Sequence, residues 1–337
     1  MCIRDSFIPS QHVTVTGNQL QNLHEGVQWW GGYSDPTHAL YSPALAASDL
    51  VIQWNTVTST SAGIWGSSGT RVQVLGNYVV NCSDVCLDAE GGSGIRFEDN
   101  TVKYAGTAAL AMYFLATDVQ FVRNNVEQNG HDPAYGPAGN WPVNWPIGRA
   151  MFAMLRDKDQ NWDEYPGSIT FGLHDNTFNY TGPASSGMGE IRKLATHWAA
   201  IQDNEMTNTI IDVAPNNNGT VDISRNTLHF TRSTGSRPAI LLGSNHRGPG
   251  YPTQGETVVD DNIITSTVFN FFTPGIKVWQ WSGWVIGNSI RRNSVSGFDW
   301  NVEYKNDGAA HHWYITGNGG NIRSTGSATP YLIGTPN

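Results

Sequence analysis

One eight-residue template recurs along almost the whole chain. It reads apolar, any, apolar, any, any, Asn, any, apolar, as in "IRFEDNTV" at residues 95–102. The shortest spacings between successive template asparagines are 22, 23 and 24 residues. A repeat of this period predicts a solenoid in which each copy contributes one coil. The template asparagines are Asn18, Asn55, Asn77, Asn100, Asn124, Asn176, Asn204, Asn226, Asn262, Asn293 and Asn318.

The alternation inside each copy predicts short strands that turn one face to a core. The Asn follows the strand, at a turn, where its amide can bond the equivalent Asn one coil above and one coil below. Such a ladder would satisfy buried backbone groups at the turn. We therefore interpret these asparagines as structural and expect none to be catalytic.

With this pattern the chain resembles a right-handed parallel β-helix of the pectate-lyase-like superfamily, whose members act on polysaccharides. The predicted fold is all-β, a single right-handed parallel β-helix (β-solenoid) of about eleven coils with loop insertions. It forms one domain over residues 12–337, and residues 1–11, which begin "MCIRDS", are interpreted as a gene-start scar and disordered lead-in.

Composition narrows the possible partners. Only 14% of residues are charged and there are 37 glycines, which favours short strands and tight turns. A net charge of -9 gives a polyanion such as nucleic acid no general attraction. No run of 18 apolar residues predicts a membrane span. We expect a polysaccharide or oligosaccharide partner and a secreted or periplasmic protein whose signal peptide is missing from this start, and the oligomeric state stays open.

The three cysteines are too few for a disulfide scaffold, and their spacing fits no zinc site. Cys82 and Cys86 could pair, but we interpret them as buried free thiols. No metal or cofactor is predicted, although calcium would be expected if the protein were a polysaccharide lyase.

Two acids in "VCLDAE", residues 85–90, are the first catalytic candidates. If the strand alternates, Val85, Leu87 and Ala89 face the core while Cys86, Asp88 and Glu90 face outward. Carboxylates at such positions are about 6.6 Å apart along the backbone, within the roughly 6.5–9.5 Å separation of an inverting glycosidase. A solvated strand face is the alternative interpretation. The apolar residues expected on the same face of the next coils favour catalysis; they are Met112, Phe114, Phe152 and Met154.

Further candidates lie on three insertions, residues 28–48, 130–167 and 243–255, and farther along the same predicted sheet. Tryptophan can stack on a sugar ring while its N–H bonds a hydroxyl. A loop acid could replace one member of the pair, although a charged loop tip is the simpler interpretation. The predicted catalytic residues are Asp88, Glu90, Asp157, Asp159 and Glu190. The predicted substrate-binding residues are Trp65, His131, Trp141, Trp145, Arg156, Trp162 and Arg192.

Three functions remain open from the sequence. The first is a polysaccharide-degrading glycoside hydrolase, expected to be inverting, that acts in a groove on the β-helix. The second is a polysaccharide lyase, which needs a basic residue to remove a proton beside a uronic carboxylate; the candidates are Arg149, Arg156, Lys158, Arg192 and Lys193. The third is a non-catalytic carbohydrate-binding solenoid, in which the acids only bond hydroxyls.

Overall fold

The structure is a computed structural model, and it describes residues 11–31, 47–113, 116–130, 148–155, 170–193, 198–213, 220–242, 256–280, 288–306, 312–326 and 331–332. Most of the three sequence insertions, and the predicted lead-in except Gln11, lie outside these residues. The chain divides into two compact units, Met1–Thr177 and Phe178–Asn337. The prediction that residues 12–337 form one domain stays a prediction.

The first unit is built from strands of 3 to 14 residues. They are β1 (Thr14–Thr16), β2 (Gln19–Gln21), β3 (Glu25–Trp30), β4 (Ala47–Gln53), β5 (Thr56–Thr60), β6 (Ala62–Leu75), β7 (Tyr78–Cys82), β8 (Val85–Glu98), β9 (Thr101–Ala105), β10 (Ala108–Tyr113), β11 (Thr117–Val122), β12 (Asn125–Gln128), β13 (Ala150–Leu155) and β14 (Thr170–His174). All of them come from template copies or from the segments that join them.

The second unit follows the same plan and starts inside β15 (Thr177–Tyr180). Its remaining strands are β16 (Gly189–Lys193), β17 (Trp198–Gln202), β18 (Glu205–Thr207), β19 (Thr209–Val213), β20 (Thr220–Ser224), β21 (Thr227–Phe230), β22 (Ile240–Leu242), β23 (Thr257–Asp260), β24 (Ile263–Gln280), β25 (Asn288–Arg291), β26 (Ser294–Asn306), β27 (His312–Thr316), β28 (Ile322–Gly326) and β29 (Tyr331–Leu332). A short 3-10 turn covers Ala184–Ser186. No α-helix occurs in the described part of either unit.

Strands from successive coils pair in parallel along three rows in each unit. In the first unit the rows are β1–β4–β6–β8–β11–β14, β2–β5–β7–β9–β12 and β3–β6–β8–β10–β13. In the second unit they are β17–β20–β23–β25–β27–β29, β15–β18–β21–β24–β26 and β16–β19–β22–β24–β26–β28. Three parallel rows wound from one continuous chain form the coils of a parallel β-solenoid, as the repeat predicts.

The asparagine ladder is present in both units. In the first, Asn77 Nδ2 donates to Asn100 Oδ1 at 3.0 Å, and the backbone N–H of Asn77 donates to the same oxygen at 2.9 Å. In the second, Asn226 donates to Asn262 Oδ1 in the same two ways, each at 3.0 Å. These side chains are almost fully buried. The sequence prediction of a structural ladder is therefore confirmed.

A left-handed backbone conformation precedes every ladder asparagine. Asp99, for example, has a φ of 56° immediately before Asn100. This conformation bends the chain sharply between two rows of strands, and Gly, Asp and Asn adopt it at the least cost. The residues in this position are Gly17, Trp54, Gly76, Asp99, Arg123, Asp175, Asp203, Arg225, Asp261, Arg292 and Gly317.

Aromatic side chains fill part of the core of the first unit. Phe97 and Phe121 stack with ring centroids 4.8 Å apart, and Phe152 contacts both Phe121 at 5.5 Å and Phe171 at 4.9 Å. All four rings are fully buried. Their contacts identify the inward face of β8, β11, β13 and β14, which fixes the orientation of the acid pair.

None of the described residues forms a helix long and apolar enough to cross a membrane.

Candidate functional site

The first part of β8 carries the acid pair between two neighbouring coils. Asp88 is in register with Trp65 on β6 and with Ala111 on β10. Glu90 is in register with Ser67 on β6 and with Tyr113 on β10. The two acids therefore occupy adjacent positions of one strand face, flanked by aromatic residues.

The orientation of β8 follows from its partners. Leu87 is in register with Leu110, which pairs with the core residue Phe152. Leu87 and Ala89 are fully buried. Because side chains alternate along a strand, Asp88 and Glu90 face away from this core. The sequence pattern predicts the same orientation for these four residues.

The predicted apolar flank of the acids is wrong. Met112 pairs with Ala89 and Phe152 shares the register of Leu87, so both face the core rather than the acids. Met154 pairs with Met112 and also belongs to this inward register, and Phe114 lies outside the described residues. The positions beside Asp88 on the next two coils are Ala111 and Ala153.

These alanines belong to a small apolar cluster with Val85, Ala108 and Ala150, and Tyr113 packs against the cluster from the row of Glu90. Val85 is in register with Ala108 on β10. The cluster places apolar atoms beside Asp88 in place of solvent.

Cys86 forms a disulfide with Cys82, with Cα atoms 5.4 Å apart. Both residues are fully buried. The expectation of free thiols is therefore wrong. The disulfide closes a short loop that contains Asp84, immediately before the acid pair.

Burial shifts the acidity of the pair. Asp88 is 4% exposed, and this burial raises its pKa well above the ordinary value, with further contributions from the Glu90 and Asp84 carboxylates. Burial likewise raises the pKa of the partly buried Glu90 to about 7, aided by Asp84 and Glu25. Burial also raises the pKa of Asp84, against a hydrogen bond with Thr107 that lowers it. The pair can therefore hold a proton near neutral pH.

Two polar atoms, on residues that are register partners, have no hydrogen-bond partner among the described residues. They are Asp88 Oδ1 and the indole Nε1 of Trp65, and both are buried. An acceptor and a donor in register on neighbouring coils can together bond a ligand that carries hydroxyl or amino groups.

Two aromatic residues lie in the register row of the other acid, Glu90. Trp30 pairs with Ser67, which pairs with Glu90, so Trp30 lies two coils before the acid in the same register. Its side chain is 44% exposed. Tyr113 occupies the coil after Glu90. The row Trp30, Ser67, Glu90, Tyr113 can offer ring faces to a sugar on either side of the acid.

A comparison with known protein families agrees with the parallel β-solenoid described above. Residues 6–138, which contain the acid pair, match the family model described as "Right handed beta helix region". The fold is a right-handed parallel β-helix. No curated protein and no solved structure matches the chain. Many right-handed β-helix proteins are active on polysaccharides.

Trp29 lies inside the β-helix rather than on its surface. It is 4% exposed, and a Cβ atom at Gly66, its register partner, would lie 2.1 Å from the Trp29 ring. Any larger residue at position 66 would collide with the indole. Trp29 is therefore a core residue, whereas its neighbour Trp30 is exposed.

Glu190 and Arg192 belong to a charged network in the second unit. Glu190 is 1% exposed and forms ion pairs with Arg237 and, at 3.5 Å, with Arg192. Arg237 Nη2 also donates to Asp212 Oδ2 at 3.2 Å. The Glu190 carboxylate, predicted to be catalytic, is thus held by two guanidinium groups.

The remaining predicted site residues lie outside the described residues. They are Asp157, Asp159, His131, Trp141, Trp145, Arg156 and Trp162. Of the basic residues considered for a lyase, Arg149 is partly buried, while Lys158 and the Lys193 side chain are outside the described part. These assignments stay predictions.

Four residues near the acids or in the network were missed from sequence. Glu25 and Asp84 influence the acid pair, Tyr113 flanks it, and Arg237 links Glu190 to Asp212. Only Tyr113 carried a usable signal, because it falls two positions after Ala111 in the strand aligned with "VCLDAE". Within the described ranges, no group of three or more His, Cys, Asp and Glu side chains is arranged to share a metal ion.

Proposed function

We propose that this β-helix is a polysaccharide-degrading glycoside hydrolase whose acid and base are Asp88 and Glu90. The observation that carries the proposal is a pair of outward carboxyl groups, two positions apart on β8, whose pKa values are both raised by burial. Glycoside hydrolases use two carboxyl groups whose different environments give them different pKa values. The fold favours this proposal by analogy, because proteins with this fold are often active on polysaccharides.

In this mechanism Asp88, the more deeply buried acid, keeps its proton and donates it to the leaving glycosidic oxygen. Glu90, whose pKa is about 7, accepts a proton from the water that attacks the anomeric carbon. The glycosidic C–O bond breaks while the water oxygen forms the new C–O bond. Placement of the two acids about 6.6 Å apart along the backbone leaves space for that water, so we expect inversion.

The aromatic residues would bind the sugar chain. Trp65 beside Asp88, and Trp30 and Tyr113 in the row of Glu90, offer ring faces on the coils around the acids. Stacking of a pyranose on such faces would run the polysaccharide across successive coils. The predicted contacts of Trp141, Trp145 and Trp162 would extend the same binding surface.

Mutation of each acid tests the proposal. Asp88→Asn and Glu90→Gln keep the side-chain shape and should each lower kcat at least about a hundredfold, the scale expected for a positioned acid or base. Asp118→Asn, an exposed acid on β11, is the matched control and should retain activity. Proton NMR of the fresh product should show the inverted anomer.

Two results would contradict the hydrolase. Full activity in both acid variants would remove the pair from the reaction. A 4,5-unsaturated sugar in the product would indicate a lyase. Arg192 would be a poor base for a lyase, because a guanidinium group stays protonated and this one is paired with Glu190.

A further inference from the structure

Resting on the proposed function, we propose that the site takes an amino-sugar polymer, a polysaccharide with free, positively charged amino groups. This inference names the substrate class of the same site. It rests on the charges around the acids, on unpaired buried atoms, and on how the acids are distributed over the coils.

Four carboxyl groups, of Glu25, Asp84, Asp88 and Glu90, belong to this part of the β-helix, and each of the first two, like Glu90 itself, raises the pKa of another member. Asp84 acts on both Asp88 and Glu90, and Glu25 acts on Glu90. No described arginine or lysine is among the groups that shift either acid. Among the described residues, the ion pair of this cluster is with the exposed His24, whose Nδ1 lies 3.4 Å from Glu25 Oε1. No described arginine or lysine therefore offsets the ionised members of the cluster, while Asp88 keeps its proton in the proposed mechanism.

Asp88 supplies an independent indication of a ligand. Its side chain is more than nine-tenths buried, yet Oδ1 has no hydrogen-bond partner in the described part of the chain. A buried polar atom without a partner destabilises the folded state. A ligand that brings a donor to this atom recovers that loss. An ammonium group carries three donors and no acceptor, which suits a carboxyl environment better than a hydroxyl does.

The acids of the cluster lie on more than one coil, as the binding of successive sugars of a polymer would require. Glu25 is in register with Ala62 on β6, and β6 in turn pairs with β8, the strand of Asp88 and Glu90. Glu25 thus lies about 10 Å along the axis from the coil of Asp84, Asp88 and Glu90. In the described residues these acids do not converge on one metal position. A chain with a positive charge on successive sugars can meet them one after another.

The same charges disfavour the acidic alternative. A uronic-acid polymer would bring its carboxylates against those of Asp84 and Glu90, and like charges in a buried setting repel strongly. A cationic sugar would instead be attracted, and the exposed ring of Trp30 could add a cation–π contact.

A comparison of chitosan oligosaccharides with their fully N-acetylated counterparts tests the inference, because the two share backbone and linkage and differ in charge. Calorimetry on the full chain should give a Kd at least about tenfold lower for the amino form, as expected for charge-assisted hydrogen bonds. Added salt should weaken this preference. Glu25→Gln should reduce it, whereas Asp118→Asn should leave it unchanged.

Product analysis separates failure of the inference from failure of the proposed function. Release of inverted reducing ends from chitosan supports both. Release from N-acetylated or neutral polymers but not from chitosan overturns the amino-sugar inference and leaves the hydrolase. Tight chitosan binding without cleavage of any polymer supports the inference and overturns the hydrolase. An unsaturated product from polygalacturonate overturns both.

Discussion

The carboxylate of Asp84 raises the pKa of Glu90, although Asp84 lies at the turn that precedes the strand. Asp84 also raises the pKa of Asp88, whereas Glu25 acts on Glu90 and is not among the groups that shift Asp88. Asp84 therefore raises the pKa values of both acids, whereas Glu25 raises that of Glu90 and not that of Asp88. This difference allows their titrations to be separated by mutation.

The first prediction concerns the pH–rate profile. Asp84→Asn removes a negative charge that opposes ionisation of both acids, so both limbs of the bell-shaped kcat/KM profile should move to lower pH. Glu25→Gln should move mainly the limb that belongs to Glu90. Profiles of both variants that overlie the parent would show that these acids do not control the reaction.

The second prediction concerns stability. Folding raises the pKa of Glu90 from 4.5 to about 7, so over this window the folded state keeps a proton that the unfolded state loses. The free energy of unfolding contributed by Glu90 must therefore fall as pH rises. Glu90→Gln should match the parent at about pH 4 and exceed its unfolding free energy by up to about 3 kcal/mol at about pH 8. Urea titrations at both pH values measure this, and a less stable variant at the higher pH would contradict it.

The third prediction concerns the asparagine ladder. Asn100 accepts from Asn77 and donates to Asn124 and to the Val74 carbonyl. Asn100→Ala leaves several buried groups without partners and should cost about 3 kcal/mol or more of unfolding free energy. Asn125→Ala, at the exposed neighbouring position, should cost about 0.5 kcal/mol or less. Equal losses in denaturant titrations would argue against a structural ladder.

The fourth prediction concerns the second unit. Arg237 pairs with the buried Glu190 and Asp212, whereas Arg225 pairs with Asp203 at the surface, where their side chains are 50% and 39% exposed. Arg237→Met leaves buried carboxylates with one partner fewer and should cost about 3–5 kcal/mol. Arg225→Met should cost about 1 kcal/mol or less. Chemical denaturation of the two variants gives the comparison, and a larger effect at Arg225 would overturn it.

The fold could be predicted because each copy of the sequence repeat corresponds to one coil of the solenoid. Each copy places an Asn after a strand, and stacking equivalent copies brings those amides to hydrogen-bonding distance, as between Asn55 and Asn77 at 3.0 Å. The outward position of Asp88 and Glu90 could also be predicted, since alternation holds from Leu87 onward. Local rules were sufficient wherever successive coils repeat the same local geometry.

The surroundings of the acids could not be predicted in the same way. From the sequence, Met112 and Phe152 are expected beside the acids, but pairing through β10 and β13 places these side chains inward. A shift of one residue exchanges the two faces of a strand. The repeat does not specify the register between strands of different coils to within one residue, and the positions beside Asp88 are Ala111 and Ala153.

The sequence by itself determined the repeating coil, the ladder asparagines and the outward acids, because each depends on a pattern within one coil. Only the tertiary structure decided which side chains meet across coils: Trp65 beside Asp88, Tyr113 beside Glu90, and Arg237 between Glu190 and Asp212. Stacking brings together residues that the chain separates by whole coils, and a shift of one position changes every such contact. The burial that raises the pKa values of Asp88 and Glu90 arises from these contacts and has no counterpart in the local sequence.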